Sequence, residues 1–280
     1  MIFRAVGLKL WRSGGSADVY VGQCANTGQP VAVKFLRDAH LPHVRMGFER
    51  EAGILSKPRR GFVSILGKDL KAPRPWYAMS YFPGGSLTRW AGRLPPNWLH
   101  NVAVEIALAI EALHADWIID GDIKPDNVLV ARDGHLCVAD PIGGGLGCTF
   151  LFSDPRGAGT HGYMAPEIAA NGPISYAGDV YSYGVTIRHM LTGRAPREGE
   201  ELELGDDIVV SAELRDVISN CCQADPNLRP SMKDVVRMLR GESLAAIRAQ
   251  QTQMAGKLVA GGLVVAGAWL LISALTDEAA

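Results

Sequence analysis

The sequence changes character once, at Pro83, Gly84 and Gly85, and this change points to a two-part fold. Before it, short apolar runs separated by Gly, Pro and Asn indicate β-strands, with one helical stretch among them. After it, apolar residues three and four apart indicate long helices. The predicted strands cover residues 18–23, 31–36 and 76–82, and the predicted helices cover residues 45–55, 97–115, 178–191, 211–222 and 231–239. We therefore predict an α+β protein with a small β-rich lobe over residues 1–82 and a larger helical lobe over residues 83–241.

An apolar segment follows near the C-terminus. Residues 258–275 contain no charged residue and a single hydroxyl residue, Ser273. About 17 to 25 residues are needed to cross a bilayer core, and a helix that is apolar on all sides has no face for water. We predict a transmembrane helix over residues 257–275, after a linker over 242–256 that could also continue a helix, and before a tail over 276–280. The alternative is a helix buried in the globular part.

Charges on the two sides of this segment predict its orientation. Arg240, Arg248 and Lys257 precede it, whereas Asp277 and Glu278 follow it. Because positive charge is enriched on the cytoplasmic side of membrane proteins, we predict a single-pass protein whose globular part lies in the cytoplasm. The N-terminus has no apolar run followed by a small-residue cleavage site, which argues against a secretory signal peptide.

Composition narrows the classes of function. The 280 residues are 48% apolar, which is enough for a full core, and they carry a net charge of −1 without a long basic run. Nucleic acid is therefore not an expected partner, because phosphate backbones attract basic surfaces. The five cysteines lack the spacing of metal ligands, and we interpret them as reduced thiols of a cytosolic domain.

The segment IIDGDIKPDNVLV, residues 118–130, carries the strongest chemical signal. Its Asp122, Lys124 and Asn127 have the spacing of a protein-kinase catalytic loop, and here the chain resembles the eukaryotic-like (Hanks-type) serine/threonine protein kinases, in their bacterial style. The resemblance covers roughly residues 8–239. It implies the bilobal protein-kinase fold with a five-stranded small lobe, and it implies ATP with Mg²⁺, or Mn²⁺ as an alternative, between the lobes. It further implies that Asp122 is the catalytic base, that Asn127 is a metal ligand and that Lys124 neutralises charge on the transferred phosphoryl group.

Further matches to this family lie in the predicted small lobe. Lys34 ends the segment VAVK, and the resemblance implies that it holds the α- and β-phosphates. Its implied ion-pair partner is Glu51 in FEREAGIL, with Glu49 as the less favoured choice. The glycine-rich loop is degenerate, and only Gly14 and Gly15 let the backbone approach phosphates. Taken alone, Lys34 could be an ordinary strand-end lysine and the two glycines an ordinary hairpin turn.

The implied adenine site lies around the segment MSYFPGGSL. This segment resembles the hinge between the lobes, which makes Met79 the gatekeeper and the backbones of Ser80 and Phe82 the adenine contacts. Met79 alone could also be a core methionine. The implied nucleotide-binding set further includes Val19, Ala32 and Leu129.

The segment VADPIGGG resembles the family's Asp-Phe-Gly motif, with two departures. Asp140 falls where the family has its second metal-binding carboxylate. Pro141 and Ile142 replace the Phe and the Gly. Because proline fixes φ and isoleucine disfavours positive φ, we expect this motif to be stiffer than usual.

The family's His-Arg-Asp motif departs as well, since Asp120 and Gly121 precede the catalytic aspartate. In the family the arginine grips a phosphorylated activation-loop residue through charge-assisted hydrogen bonds. A glycine cannot do this, so we predict that activity does not require phosphorylation of Thr149 or Ser153. Asp120 and Pro141 also replace residues of the family's internal apolar spine, and we expect weaker packing there.

The segment GTHGYMAPE, residues 159–167, resembles the end of a kinase activation segment. The resemblance implies that Thr160 contacts the catalytic loop and favours Ser or Thr substrates over Tyr. It also implies a buried ion pair between Glu167 and Arg229, and a bracing role for Asp179 on the catalytic-loop backbone.

Three functions remain in competition at this point. The first is a membrane-tethered serine/threonine kinase acting on protein substrates, and the second is a pseudokinase scaffold, which the departures at Asp120, Gly121 and Pro141 favour. The third is a kinase of small molecules, in which glycine often precedes the catalytic aspartate, although the segment ending at Glu167 argues against it. Small residues four apart, Gly256 with Ala260 and Gly262 with Ala266, also suggest a homodimer through the apolar segment.

Overall fold

A five-stranded antiparallel sheet forms the first lobe of the molecule, for which the computed structural model describes residues 3–142, 161–197, 200, 202–205 and 208–254. The strands are β1 (Ala5–Ser13), β2 (Ala17–Cys24), β3 (Pro30–Leu36), β4 (Ile65–Asp69) and β5 (Trp76–Ser80), in the order β1-β2-β3-β5-β4. Helix α1 (Pro42–Leu55) starts with proline at its first turn, where the missing N–H costs nothing. Its buried Phe48, Ala52 and Leu55 share one core with Leu36 and Tyr77 of the sheet.

The sheet has the five strands that the resemblance implied, but two of them were absent from the hydrophobic pattern. The predicted strands correspond to β2, β3 and β5, although β5 ends at Ser80 rather than at residue 82. The two strands without a sequence signal, β1 and β4, lie at the edges of the sheet. An edge strand packs against fewer neighbours, so β1 leaves Leu10 57% and Trp11 61% exposed and shows no clean alternation.

The second lobe is helical and contains one short hairpin. Its helices are α2 (Pro96–Ala115), α3 (Pro166–Ala169), α4 (Tyr176–Thr192), α5 (Ala212–Cys221) and α6 (Met232–Met238), and the hairpin pairs β6 (Val128–Val130) with β7 (Leu136–Val138). Helix α4 is buried along most of its length and is capped at both ends. Ser175 accepts a hydrogen bond from the Gly178 N–H, and Gly193 ends the helix with φ +70°. Helix α6 begins with a capping box of Ser231 and Asp234.

The stretch predicted as a linker over residues 242–256 is helical over residues 244–254. Ile247 is fully buried, and Arg248 donates to the Leu228 carbonyl at 2.7 Å. Gln251 donates to the Asp234 carboxylate at 2.9 Å. The folded lobe therefore continues beyond residue 241, because an apolar contact and these hydrogen bonds dock the helix on it.

The apolar segment at residues 257–275 lies outside the described residues, as do both pairs of small residues within or just before it. Among the residues that the structure does describe, no helix has the length and apolar character that crossing a membrane would require. The four cysteines described, Cys24, Cys137, Cys221 and Cys222, are all free thiols.

Candidate active site

Lys34 joins three segments that are far apart in the sequence. Its ammonium nitrogen lies 2.7 Å from Glu51 Oε1 on α1 and 3.0 Å from Asp140 Oδ1 after β7. Glu49, the less favoured partner, pairs instead with Arg45 one turn away on α1. The predicted choice of Glu51 is therefore the one found in the fold.

The electrostatics of this cluster follow from burial and charge. Burial lowers the pKa of Lys34, but the carboxylates of Asp140 and Glu51 outweigh it and bring the pKa above its ordinary value. Burial raises the pKa of Glu51 to about 7 despite the neighbouring ammonium. Burial raises the pKa of Asp140, but the Lys34 ammonium lowers it further, so that its pKa lies below the ordinary value. The Asp140 side chain remains 41% exposed.

The sheet register places the implied nucleotide-binding residues of the small lobe on one face. Val19 is the cross-strand partner of Lys34, and Ala32 is the partner of Met79. Directly opposed residues in an antiparallel pair share a face, and residues two apart along a strand do so too. Val19, Ala32, Lys34 and Met79 therefore all lie on the face of the sheet that carries the Lys34–Glu51 pair, and Ser80 is the last residue of the same strand as Met79.

Phe82 and Leu129 approach this region from the chain that follows the sheet. Phe82 is partly buried and packs on the core, and its carbonyl accepts the Gly85 N–H at 3.1 Å. Leu129 lies in β6 and forms an isolated bridge with Ser86, just after the hinge. Glycine is required at residue 84, where a Cβ would lie 2.7 Å from Val130 Cβ.

The turn between β1 and β2 contains Gly14 and Gly15. The Gly14 N–H donates to the Ala17 carbonyl at 2.8 Å, so this donor is already used within the turn. The space beside Gly15 is open. Arg37, which the sequence pattern did not single out, donates from its guanidinium to the carbonyls of both glycines. The turn is thus held by a side chain from the end of β3.

Asp122, Lys124 and Asn127 meet in the catalytic loop. The Lys124 ammonium lies 2.8 Å from Asp122 Oδ1 and 2.7 Å from Oδ2, and the Asn127 amide donates to Asp122 Oδ2 at 2.8 Å. Asn127 also donates to the Asp122 carbonyl at 2.9 Å. Because its Nδ2 makes both bonds, Oδ1 of Asn127 is the atom that can ligate a metal. Burial raises the pKa of Asp122, and Lys124 opposes that shift.

A buried carboxylate braces the loop from below. Asp179 accepts the N–H groups of Asp120 at 2.8 Å and Gly121 at 2.9 Å, as the resemblance implied. His114 Nε2 lies 2.8 Å from the same carboxylate, a contact with no sequence signal. The Asp120 side chain is buried and accepts the Asp122 N–H at 3.1 Å, while its Oδ2 lacks a partner among the described residues. Burial and the negative Asp179 hold the pKa of Asp120 well above its ordinary value.

The backbone has positive φ at or beside each of the two departures from the family pattern. Gly121 has φ +83° and Asp140 has φ +56°. Aspartate tolerates this left-handed region better than most residues, and glycine adopts it freely. Ile142 is not among the described non-glycine residues with positive φ, which are Trp117, Asp140 and Asn171.

Asn127 and Asp140 offer a metal site with the right chemistry. The pairing of β6 with β7 brings residues 127 and 139 to the same end of the hairpin, and the Ala139 N–H donates to the Asn127 carbonyl at 2.7 Å. Both side chains present oxygen atoms, which Mg²⁺ and Mn²⁺ prefer. The described residues contain no group of three or more His, Cys, Asp or Glu placed to hold a metal. Phosphate oxygens and water would complete the ligands, as is usual for Mg²⁺.

Glu167 and Arg229 form the ion pair that the resemblance implied, with the Arg229 side chain fully buried and the Glu167 side chain 26% exposed. The guanidinium donates to both carboxylate oxygens, at 2.7 Å and 2.8 Å. Thr160, Thr149 and Ser153 lie outside the described residues. The implied contact of Thr160 with the catalytic loop therefore stays a prediction.

Comparison with known proteins agrees with this geometry. The family described as protein kinase domain matches residues 12–239. The serine/threonine-protein kinase AfsK of Streptomyces griseus is 32% identical over 238 residues, which are 76% of this chain and 28% of that protein. The serine/threonine-protein kinase Pkn1 of Myxococcus xanthus is 33% identical over 200 residues, 68% of this chain and 29% of that protein. The receptor-like kinase TMK4 of Arabidopsis thaliana is 34% identical over 200 residues, 65% of this chain and 21% of that protein.

These relatives are much longer than the region they share with this chain, which spans less than a third of the length of AfsK and Pkn1. The family match nevertheless covers both lobes and every element that carries the site. With Lys34, Glu51, Asp122, Asn127 and Asp140 all brought to one cleft, the chain belongs to the protein kinase family.

Proposed function

We propose that this chain is an ATP-dependent serine/threonine protein kinase, which transfers the γ-phosphate of ATP to Ser or Thr hydroxyls of protein substrates. One observation carries the proposal: a continuous set of contacts runs from Lys34 to Asp122. Lys34 pairs with Asp140 at 3.0 Å, the adjacent Ala139 N–H donates to the Asn127 carbonyl at 2.7 Å, and Asn127 donates to Asp122 at 2.8 Å. Residues for phosphate, metal and substrate hydroxyl are therefore neighbours.

Each residue has one task in the proposed transfer. Asp122 orients the substrate hydroxyl and accepts its proton as the oxygen attacks the γ-phosphorus and the bond to ADP breaks. Lys124, 2.7 Å from Asp122, offsets the negative charge on the moving phosphoryl group. Lys34 holds the α- and β-phosphates, and Asn127 with Asp140 would hold Mg²⁺ or Mn²⁺. A bound metal ion supplies charge neutralisation across the β- and γ-phosphates.

The surface beside Asp122 supports a polypeptide substrate. A small pocket lies there, lined by thirteen residues. Six of them are aliphatic or Met and four are Asp or Ser, a mixture that can hold a side chain of a polypeptide. The relatives named as serine/threonine-protein kinases further support Ser or Thr as the acceptor.

The alternative is a pseudokinase scaffold, and the state of Asp120 is the observation that favours it. The Asp120 carboxyl is buried beside the catalytic aspartate with one oxygen that has no partner in the described ranges, and Gly121 stands where the family has an arginine. The two functions separate in one experiment on the full-length protein in detergent. Labelled ATP and Mg²⁺ are added to the wild type and to Asp122→Ala, and a fluorescent nucleotide measures binding.

A kinase transfers label to itself or to a generic protein substrate, and Asp122→Ala loses transfer by a factor of about 10² to 10⁴ while it still binds nucleotide. A scaffold binds nucleotide equally in both proteins and transfers no label in either. That second result would overturn the proposed activity.

We also propose that residues 257–275 tether the protein to the membrane, with the kinase lobes in the cytoplasm. The support is the absence of charge in residues 258–275 and the positive residues that precede them. Replacing Leu263 and Val265 by arginine should release the protein from the membrane fraction. Retention of that variant after carbonate washing would contradict the tether.

For the proposed homodimer, Gly262→Leu should weaken self-association in detergent, because a large side chain keeps two helices apart. Unchanged self-association of this variant would contradict the homodimer.

A further inference from the structure

Tyr77 of β5 is a fully buried tyrosine in direct contact with the Lys34–Glu51 pair. Its side chain is 0% exposed, and its hydroxyl donates to Glu51 Oε1 at 2.5 Å. Lys34 donates to the same carboxylate oxygen at 2.7 Å. One oxygen of Glu51 therefore receives two donors, from two different strands of the sheet.

The position of Tyr77 follows from the sheet register and from α1. Tyr77 is the cross-strand partner of Lys34, so the two side chains share the inner face of the sheet. The Lys34 ammonium lies 5.8 Å from the centre of the phenol ring. On the other side the ring packs on Phe48 of α1, with ring centroids 5.2 Å apart. Tyr77 thus contacts the helix both through its ring and through its hydroxyl.

The chemistry of the phenol suits a permanent donor. Burial and the negative charge of Glu51 hold the pKa of Tyr77 well above its ordinary value, so the hydroxyl keeps its proton. A buried hydroxyl without a partner is costly, which ties Tyr77 to Glu51. An aliphatic side chain here would remove one of the two donors, Tyr77 and Lys34, that contact Glu51 Oε1.

Lys34 has competing acceptors, whereas Tyr77 has one. The Lys34 ammonium is shared between Glu51 and Asp140, and in the proposed reaction it also serves phosphate oxygens. Each additional acceptor weakens its hold on Glu51. The Tyr77 hydroxyl is fully buried, and Glu51 is its acceptor in the part of the chain that the structure describes.

We propose that Tyr77 is a positioning residue, which holds Glu51 and helix α1 in place so that Lys34 can turn to the nucleotide phosphates. This inference rests on the proposed kinase function, since it assigns a task within that reaction. Tyr77 touches neither substrate nor metal in this role and acts through Glu51.

The test is Tyr77→Phe, which removes the hydroxyl and keeps the ring against Phe48. The matched control is Tyr183→Phe, because Tyr183 is also fully buried and its hydroxyl donates to the Ala103 carbonyl at 2.9 Å in the helical lobe. Each substitution is made in the full-length wild type and in Glu51→Ala. Melting temperature, kcat/KM for ATP and the Kd of Mg²⁺-ADP are measured for all of them.

Tyr77→Phe should lower kcat/KM for ATP about 10-fold, the scale of one lost hydrogen bond to a charged group. In the Glu51→Ala background the same change should have less than about a twofold effect on kcat/KM and on the Kd, since its acceptor is gone. Tyr183→Phe should lower the melting temperature about as much as Tyr77→Phe does, but it should leave kcat/KM for ATP within about twofold of wild type.

Two outcomes would overturn the proposal: Tyr77→Phe behaving like Tyr183→Phe, or the losses of Tyr77→Phe and Glu51→Ala multiplying in the double variant. Failure of the proposed kinase function would be seen separately, because the wild type itself would then transfer no phosphate from ATP. The nucleotide Kd then still tests the link between Tyr77 and Glu51.

Discussion

Two ion pairs of this molecule, each with a cation that is largely buried, differ in how completely the donors of that cation are used. Arg229 has five N–H donors, and all five have acceptors: both oxygens of Glu167 and the carbonyls of Gln223, Ala177 and Ala224. Lys34 has three donors, and in the described part of the chain two of them have acceptors. The saturated pair can serve only the fold, whereas the unsaturated pair has a donor left for a ligand.

Removing the unsaturated cation should have the largest effect on activity. Lys34→Met should lower kcat by about 10²- to 10³-fold, because a preorganised donor to the phosphates is lost. The melting temperature should change little, since Glu51 has a pKa of about 7 and can take up a proton when its cation is gone. Phosphoryl-transfer assays and thermal unfolding of the same preparations check both parts. Near wild-type transfer by Lys34→Met would contradict the division between the two pairs.

Removing the saturated cation should instead affect stability. Arg229→Ala should lower the free energy of unfolding by about 3 kcal/mol, because the partly exposed Glu167 carboxylate and three carbonyls lose a fully buried donor. Denaturant unfolding in detergent measures this. Arg237→Ala is the control, since its ion pair with Glu242 is at the surface and should change stability little. Equal losses in the two variants would show that saturation by buried acceptors does not matter.

Replacing Gly121 by arginine, the residue that the family has at this position, should have a smaller effect on stability. Gly121→Arg should cost about 1–2 kcal/mol of stability, because φ +83° is strained for residues with a Cβ. Gly121→Ala should lose a similar amount, since the nearest atom to its Cβ would be 3.7 Å away and no clash arises. Gly121→Asn should lose less, as asparagine tolerates this region. Thermal unfolding of the three variants compares them.

The smallest effect should come from the activation segment. Without an arginine at residue 121, a phosphate on Thr149 or Ser153 has no such partner in the catalytic loop. The double variant Thr149→Ala and Ser153→Ala should therefore keep kcat within about twofold of wild type. Transfer assays on protein pretreated with phosphatase provide the comparison. Loss of activity in the double variant would mean that another cation performs the task of the missing arginine.

Within the five-stranded sheet, sequence patterns predicted the three inner strands and missed the two edge strands. The strands β2, β3 and β5 have a neighbour on each side, whereas β1 and β4 lie at the sheet edges with one neighbour each. For residues 244–254 the sequence allowed either a linker or a helix. The helix forms without a strong apolar stripe, because docking through Ile247 stabilises it.

The same division holds in the candidate active site. Lys34, Glu51, Asp122, Asn127 and Asp140 stand in local motifs that resemble a known family, so the sequence pointed to them directly. Arg37, Tyr77 and His114 are in no such motif, and their contacts reach residues 22, 26 and 65 positions away. Outside a motif that matches a known family, a local pattern does not predict contacts across such separations.

The sequence by itself determined the two-lobe division, the family and the chemical groups available for phosphoryl transfer, because these depend on residue type and local periodicity. Tertiary structure alone decided that Tyr77 shares the Glu51 carboxylate with Lys34 and that Asp120 is buried beside Asp179. The physical reason is that hydrogen bonding and burial depend on distances between atoms, and folding sets those distances between residues that are remote along the chain.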